Sequence, residues 1–243
     1  MEIVGHNALV TGAGRRVGKA IALALAAEGA NIFVHYGRSA AFAQEVAAEI
    51  EAGGTKAAYG SANLSDPSTA SDLIARATEA LGPISILVNS ASGFPDDRLE
   101  SVTLDQLRSA HDLTLASPVF LTQAMAAALP DNSEGAVVNV TDVKTLTPYR
   151  EHFSYMLAKG ALDTFTRAAA LALAPRIRVN AVALGAILPP PGEPESYLER
   201  QAALLPLQRV GGTGPVGEAV VHLVSNSFVT GEIVRLDGGA HLT

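Results

Sequence analysis

Tyr155 and Lys159 stand at i and i+4, a spacing that puts a phenol and an ammonium on one helix face. A free tyrosine has a pKa of about 10, too high for a good proton shuttle near neutrality. A cation one turn away favours the phenolate and moves the hydroxyl toward the working range, so the pair reads as a general acid/base. Taken alone, the same spacing equally describes a surface helix pair. A second stretch, "VTGAGRRVGKA" from Val10 to Ala20, sets Gly12, Gly14 and Gly18 between a short apolar run and an amphipathic pattern. Glycine at 12 permits a tight turn and glycine at 18 permits close helix–sheet packing. The N–H groups and positive dipole end at the start of the helix suit a pyrophosphate. Arg15 and Arg16 are large cations in a loop that otherwise depends on small residues.

The segment after the second apolar run sharpens this reading. Sites that select a free ribose 2′-OH place an acidic residue there, and an Arg accommodates a 2′-phosphate. In "FVHYGRSA" no Asp or Glu occurs, whereas Arg38 and Ser39 do. A guanidinium fork matches phosphate geometry and a serine hydroxyl adds a donor. NADPH/NADP is the dinucleotide these residues predict.

Such groups need a scaffold, and the hydrophobic pattern supplies one. Strands are expected at Ala8–Val10, Ile32–Tyr36, Ala57–Ser61, Ile84–Asn89, Ala136–Thr141, Arg178–Val182 and Ile233–Leu236. They are rich in Val and Ile and lack polar alternation, as in a parallel sheet covered on both faces. Helical patterns lie between them. Val17, Ala20, Ile21, Ala24 and Leu25 form one stripe, with Gly29 as a stop; Asp66 and Pro67 read as an N-cap and first helical residue. Long helices are predicted at Leu104–Leu129 and at Ser154–Leu173, the latter ended by Pro175. The alternation predicts one α/β domain over residues 1–243, a Rossmann-type doubly wound parallel sheet of about seven strands with helices on both faces. The run "GAILPPPGEPES", Gly185 to Ser196, breaks the pattern and is expected to be a substrate loop, near 185–205, at the carboxyl edge.

Composition narrows the function classes. There is no cysteine, so disulfides, thiol nucleophiles and Cys-ligated metals are excluded. A net charge of −7 without a basic stripe argues against a nucleic-acid partner. His6, His35, His111 and His222 lack metal-ligand spacing, so no metal is expected. The opening "MEIVGHNALV" has no basic region followed by an apolar one, and no run would span a bilayer. A cytoplasmic protein without a membrane partner is expected, and the sequons at Asn63 and Asn139 carry no meaning there. No Gly-x-Ser-x-Gly elbow points to a hydrolase. Lys144 and Arg150 read as solvent-facing.

Over nearly its full length the chain resembles the short-chain dehydrogenase/reductase family. The segments that carry the resemblance are Thr11-Gly12…Gly18, "LVNSAS" (Leu87–Ser92), Tyr155…Lys159, "IRVNAVALG" (Ile177–Gly185) and "VTGEIVRLDGG" (Val229–Gly239). The resemblance implies a nicotinamide cofactor, a homotetramer, a Tyr acid/base and a Lys that lowers its pKa and binds the ribose. Departures from the common pattern are Asp142 where a Ser is usual, Arg16 for the second loop glycine, Thr114 for a helix Asn that supports a water relay, Asn63 for an acid near adenine, and Leu184 for a Pro.

Arg16, the "HY.RS" run and Asp142 occur together in the pteridine reductase and dihydromonapterin reductase branch, which this chain also resembles in "NAS" followed by Phe94. That resemblance implies cofactor contacts from Gly12, Gly14, Arg15, Arg16, Val17, Gly18, His35, Tyr36, Arg38, Ser39, Asn63, Leu64, Asn89, Ser90, Ala91, Tyr155, Lys159, Gly185 and Ile187. It implies substrate contacts from Arg16, Ser92, Phe94, Asp142, His152 and Tyr155, and catalysis by Asp142, Tyr155 and Lys159. A pterin presents a C=N bond, a flat ring and an amino-pyrimidine edge. A carboxyl can accept from its N–H donors, and an aromatic ring can stack on it. Two other small-molecule readings remain open: an NADPH-dependent reductase of a 3-oxoacyl thioester or small ketone, and a non-catalytic NADPH-binding sensor.

Overall fold

A computed structural model of the chain describes residues 1–190, 192–194 and 196–242. Two positions of the proline-rich run, Pro191 and Glu195, lie outside the described residues. The strands are β1 (Asn7–Val10), β2 (Asn31–Tyr36), β3 (Ala57–Ser61), β4 (Ile86–Asn89), β5 (Gly135–Asp142), β6 (Ile177–Leu184) and β7 (Ile233–Leu236). They form one sheet in the order β3-β2-β1-β4-β5-β6-β7, and every pair is parallel. Parallel neighbours need crossovers, and the helices supply them: α1 (Arg16–Ala27), α2 (Ala40–Ala52), α3 (Ala70–Leu81), α4 (Leu104–His111), α5 (Ser117–Ala128), α6 (Phe153–Leu173), α7 (Ser196–Ala202) and α8 (Gly214–Ser225).

Because successive strand residues face opposite ways, each strand feeds two cores. Ala8 and Val10 pack with Ile21 and Leu25 of α1, Val46 of α2 and Val220 of α8. Leu9 between them packs on the other side with Leu73 of α3, Leu121 of α5 and Ala170 of α6. This is why the strands read as unbroken apolar runs. Strand order reverses beside β1, so a crevice opens at the carboxyl ends of β1 and β4, where α/β folds bind ligands.

The differences from the sequence expectation have local causes. β4 begins at Ile86 rather than Ile84, the residue where pairing with Ala8 begins. β5 and β6 are longer than expected and pair from Gly135↔Ile177 to Asp142↔Leu184, so Asp142 is the last residue of its strand. After Asp66, whose carboxylate accepts from Ser68 N–H at 3.1 Å, Pro67–Thr69 form a 3₁₀ turn before α3. The long helix over Leu104–Leu129 divides: α4 passes through a π-helical turn, Asp112–Ala116, into α5. Pro118 has no N–H for the carbonyl of Thr114 and its ring crowds that carbonyl, which a widened turn relieves. Among its described residues, the run after β6 carries α7. No described helix is long and apolar enough to cross a membrane.

Candidate active site at the carboxyl edge of the sheet

The loop between β1 and α1 is held by its neighbours. Gly12 N–H donates to His35 Nδ1 at 3.1 Å, and the other ring nitrogen of His35 donates to Ala62 O at 3.1 Å. His35, 2% exposed, therefore braces the loop, with the Nδ1 lone pair free to accept. Burial lowers its pKa to about 4, so the imidazole is neutral at ordinary pH. Thr11 Oγ1 accepts from Ser90 N–H at 2.9 Å and Ala91 N–H at 3.0 Å, tying the β4 end to the same loop. The glycine motif contains Thr11 but gives no sign of this task.

The three glycines differ in their reasons. Gly12 has φ +66°, and a Cβ there would lie 3.0 Å from Ala91 Cα. A Cβ on Gly18 would lie 2.3 Å from Gly12 O, so the first turn of α1 sits directly on the loop it follows. At Gly14 the nearest atom would be 3.4 Å away, an ordinary contact. Arg15 at the N-cap makes no side-chain cap bond, so its side chain does not occupy the first N–H groups of α1. Arg16 has φ +56°, a conformation that costs a side-chain-bearing residue about 1–2 kcal/mol. Its guanidinium donates to Pro189 O at 2.6 Å, bridging the glycine loop to the proline-rich run. Arg38 and Ser39 are exposed at the carboxyl end of β2, and Ser39 does not cap α2 with its side chain. A cradle that Cβ atoms would fill, uncapped helix N–H groups and nearby cations fit a dinucleotide phosphate.

β5 and α6 bring the candidate catalytic groups together. Tyr155 OH donates to Asp142 Oδ2 at 2.9 Å, while Asp142 Oδ1 accepts from Lys144 N–H at 2.8 Å. Lys159, 3% exposed, donates from Nζ to Val140 O at 2.5 Å and lies 5.6 Å from the centre of the Tyr155 ring. Burial raises the Asp142 pKa, opposed by the Lys144 amide and the Tyr155 hydroxyl. It lowers Lys159 to about 8 against the opposing pull of Asp142 and Asp163. Tyr155 moves opposite to the sequence expectation. Its pKa is raised well above 10 by burial and then by the Asp142 carboxylate, so the phenol is held protonated. The i, i+4 spacing shows the lysine but not the carboxylate against the hydroxyl.

Phe94 lies beside this trio. Its ring stacks on His152 with centroids 3.6 Å apart and meets Tyr155 edge-on at 4.9 Å. Tyr149, 6.4 Å from Phe94, extends the cluster, and nothing in "TPYREHF" marks it in the sequence. Lys144 is not simply solvent-facing: it is half-buried with its ammonium 5.5 Å from the Tyr149 ring centre. Arg150 is exposed, as expected. Two further residues escape a sequence reading. Asp97 and Ser154 are both buried and bonded to one another across 57 positions, a separation at which no local signal exists.

The remaining candidates divide by accessibility. Asn89 is 3% exposed and donates to Asn139 Oδ1 at 2.8 Å, which passes the chain to Thr166 and Leu162 O of α6; Asn89 Oδ1 itself has no partner among the described residues. Leu64 and Ile187 are buried, Leu64 O accepting from Ser117 at 2.6 Å. Tyr36 and Val17 are half-buried and Asn63 is exposed. Ser92 Oγ donates to Gly93 O at 3.2 Å. Gly185 must be glycine, because a Cβ would meet Asp237 Cα at 2.8 Å. Thr114 is buried in the π-helical turn. No group of residues that could hold a metal ion occurs among the described residues.

Known proteins share this fold. The family model described as Enoyl-(Acyl carrier protein) reductase, within the short-chain dehydrogenase/reductases, matches residues 12–241. The crystal structure of FolM alternative dihydrofolate reductase 1 from Brucella canis, complexed with NADP, superposes with TM-score 0.95 at 37% identity, covering 100% of this chain and 96% of that one. The Brucella suis FolM structure, also with NADP, gives 0.91 at 38%, covering 98% and 96%. A 3-oxoacyl-[acyl-carrier-protein] reductase from Synechocystis is 33% identical over 241 residues, 98% of this chain and 97% of that one.

Two outcomes test the loop. Gly18→Ala is expected to cost about 1–3 kcal/mol of stability by overpacking and to weaken NADPH binding, whereas Gly14→Ala leaves both nearly unchanged; urea midpoints and fluorescence titration check this. His35 has a native pKa below its ordinary 6.5, so the unfolded chain binds more protons in between. Stability should therefore fall by up to about 3 kcal/mol as pH drops from 6.5 to about 4. In His35→Gln that part of the slope, measured by urea titration at each pH, should vanish.

Proposed function

The chain belongs to the short-chain dehydrogenase/reductase family, and from that premise we propose that it is an NADPH-dependent reductase of a C=N bond in a pterin, dihydropterin or dihydrofolate-like substrate. The observation that carries the reading is Asp142: a carboxyl, not a hydroxyl, bonds the Tyr155 phenol at 2.9 Å, with Phe94 edge-on to the same phenol. A carboxyl can take N–H donors from an amino-pyrimidine edge, which a ketone lacks. The FolM neighbours, named as dihydrofolate reductases, support the substrate class.

In this reading Gly12, the start of α1, Arg16, Arg38 and Ser39 hold the cofactor's phosphates. When bound, NADPH supplies the hydride. Tyr155 OH gives its proton to the substrate nitrogen. Asp142, at hydrogen-bond distance from that hydroxyl, takes up a proton from solvent and passes it back, and burial, by raising its pKa, favours that uptake. Lys159 keeps a positive charge beside the phenol while tied to Val140 O. The substrate loop near 185–205 belongs to the single domain in this reading, and the Arg16–Pro189 bond, which joins its start to the phosphate loop, supports that role. A homotetramer is supported by exposed Leu104, Phe120 and Leu157 on α4, α5 and α6.

The test is NADPH oxidation with a panel of dihydropterins, dihydrofolate, a 3-oxoacyl thioester and quinones. Turnover of the thioester with none on any pterin or folate would overturn the substrate assignment and align the chain with its 3-oxoacyl relative. For the competent substrate, kcat/KM should decline above about pH 8, as Lys159 loses its charge. Asp142 raises the pKa of both Lys159 and Tyr155. Asp142→Asn should therefore move that alkaline limb to lower pH, besides reducing turnover about 100-fold. Asp142→Ser separates the substrate classes: pterin activity should be lost, and improved carbonyl turnover without such loss would contradict the role given to the carboxyl.

A further inference from the structure

The helix that carries Tyr155 and Lys159 does not cap itself. A helix start leaves N–H groups that a side chain from the N-cap residue normally satisfies. The N-cap residue of α6 is His152, in the left-handed region at φ 59°, and its side chain makes no cap bond. Its Nδ1 instead donates to Pro95 O at 2.8 Å while its ring stacks on Phe94. The cap comes from 57 residues away: Asp97 Oδ1 accepts from Ser154 N–H at 3.0 Å and Oδ2 from the Ser154 hydroxyl. Phe153 N–H adds a bond to Asp97 O at 3.2 Å, and Arg98 pairs with Glu151 at 2.6 Å.

We propose that Asp97 is a positioning residue for the reaction: by capping α6 from the loop after β4, it locks the Phe94–His152 wall and the Tyr155 proton donor into one rigid unit. Asp97 is 3% exposed, and a carboxylate buried to that degree is costly unless fully bonded. The site satisfies it with a backbone N–H, a hydroxyl and the positive end of a 21-residue helix. The arrangement also frees His152 from capping, so its ring can line the site. Tyr155 follows Ser154 directly, and Phe94 lies three residues before Asp97, so one carboxylate sits between the two groups whose separation must fit the substrate.

This rests on the reading of Phe94 and Tyr155 as substrate-facing, and the test has an arm that does not. The chain has no tryptophan, so Phe94→Trp supplies a single reporter stacked on His152. In Asp97→Ala, kcat/KM for the competent substrate should fall about 10- to 100-fold, as expected for a misplaced donor, with KM raised and kcat lowered. The Kd for NADPH should stay as in the wild type. Asp97→Asn, which can still accept from Ser154 N–H, should recover most of the loss. In the reporter background, Asp97→Ala should increase iodide quenching and lower the anisotropy of the indole emission, whether or not any substrate is turned over. Loss of stability with kcat/KM and reporter both unchanged would overturn the proposal. If Asp97→Ala does not fold, Ser154→Ala, which removes only the hydroxyl bond, is to show the same quenching and the same KM-against-kcat split; its absence overturns the proposal equally.

Discussion

The hydrogen bond from Tyr155 to Asp142 spans the seam between β5 and α6, and much of the structure exists to keep both ends in place. Neither group is comfortable there. Burial disfavours the charge of the carboxylate, and the carboxylate disfavours ionisation of the phenol. A nearby lysine is itself desolvated, and its Nζ is anchored on the backbone of the same strand. Three titratable groups share one dry corner, and Asp142 couples to both of the others, so the titration of any one belongs to the set rather than to that member.

Two other contact sets hold that corner in position. Behind it, the chain Asn89–Asn139–Thr166–Leu162 links β4, β5 and α6 through buried side chains. At its mouth, Asp97 and Ser154 bind the loop after β4 to the start of α6. The glycine loop has its own brace in His35, whose neutral ring accepts one backbone N–H and donates to a carbonyl just past the end of β3. Burial, which shifts the titratable groups, is thus also what makes these polar contacts strong enough to orient them.

The arginine in the glycine loop shows how the parts join. Arg16 occupies a left-handed conformation that a glycine would adopt without strain, yet its side chain spans to Pro189 on the far side of the crevice. A residue that breaks the loop's steric logic thereby connects the glycine loop to the chain that follows β6.

Strand and helix order was legible in the sequence because a two-faced parallel sheet demands unbroken apolar runs, and these were present at nearly the observed positions. The glycine loop and the Tyr155–Lys159 pair were legible because their chemistry depends on short spacings. The break in the helix before β5 followed from Pro118, a local cause that the apolar periodicity masked. What the tertiary structure alone decided were relations between distant segments: the carboxylate of Asp142 on the Tyr155 hydroxyl, the stack of Phe94 on His152, the long-range cap from Asp97 and the brace from His35. The direction of the Tyr155 pKa belongs with these, since the sum of burial and neighbouring charge is set by residues the fold brings together, and a spacing of four residues along one helix carries only one part of that sum.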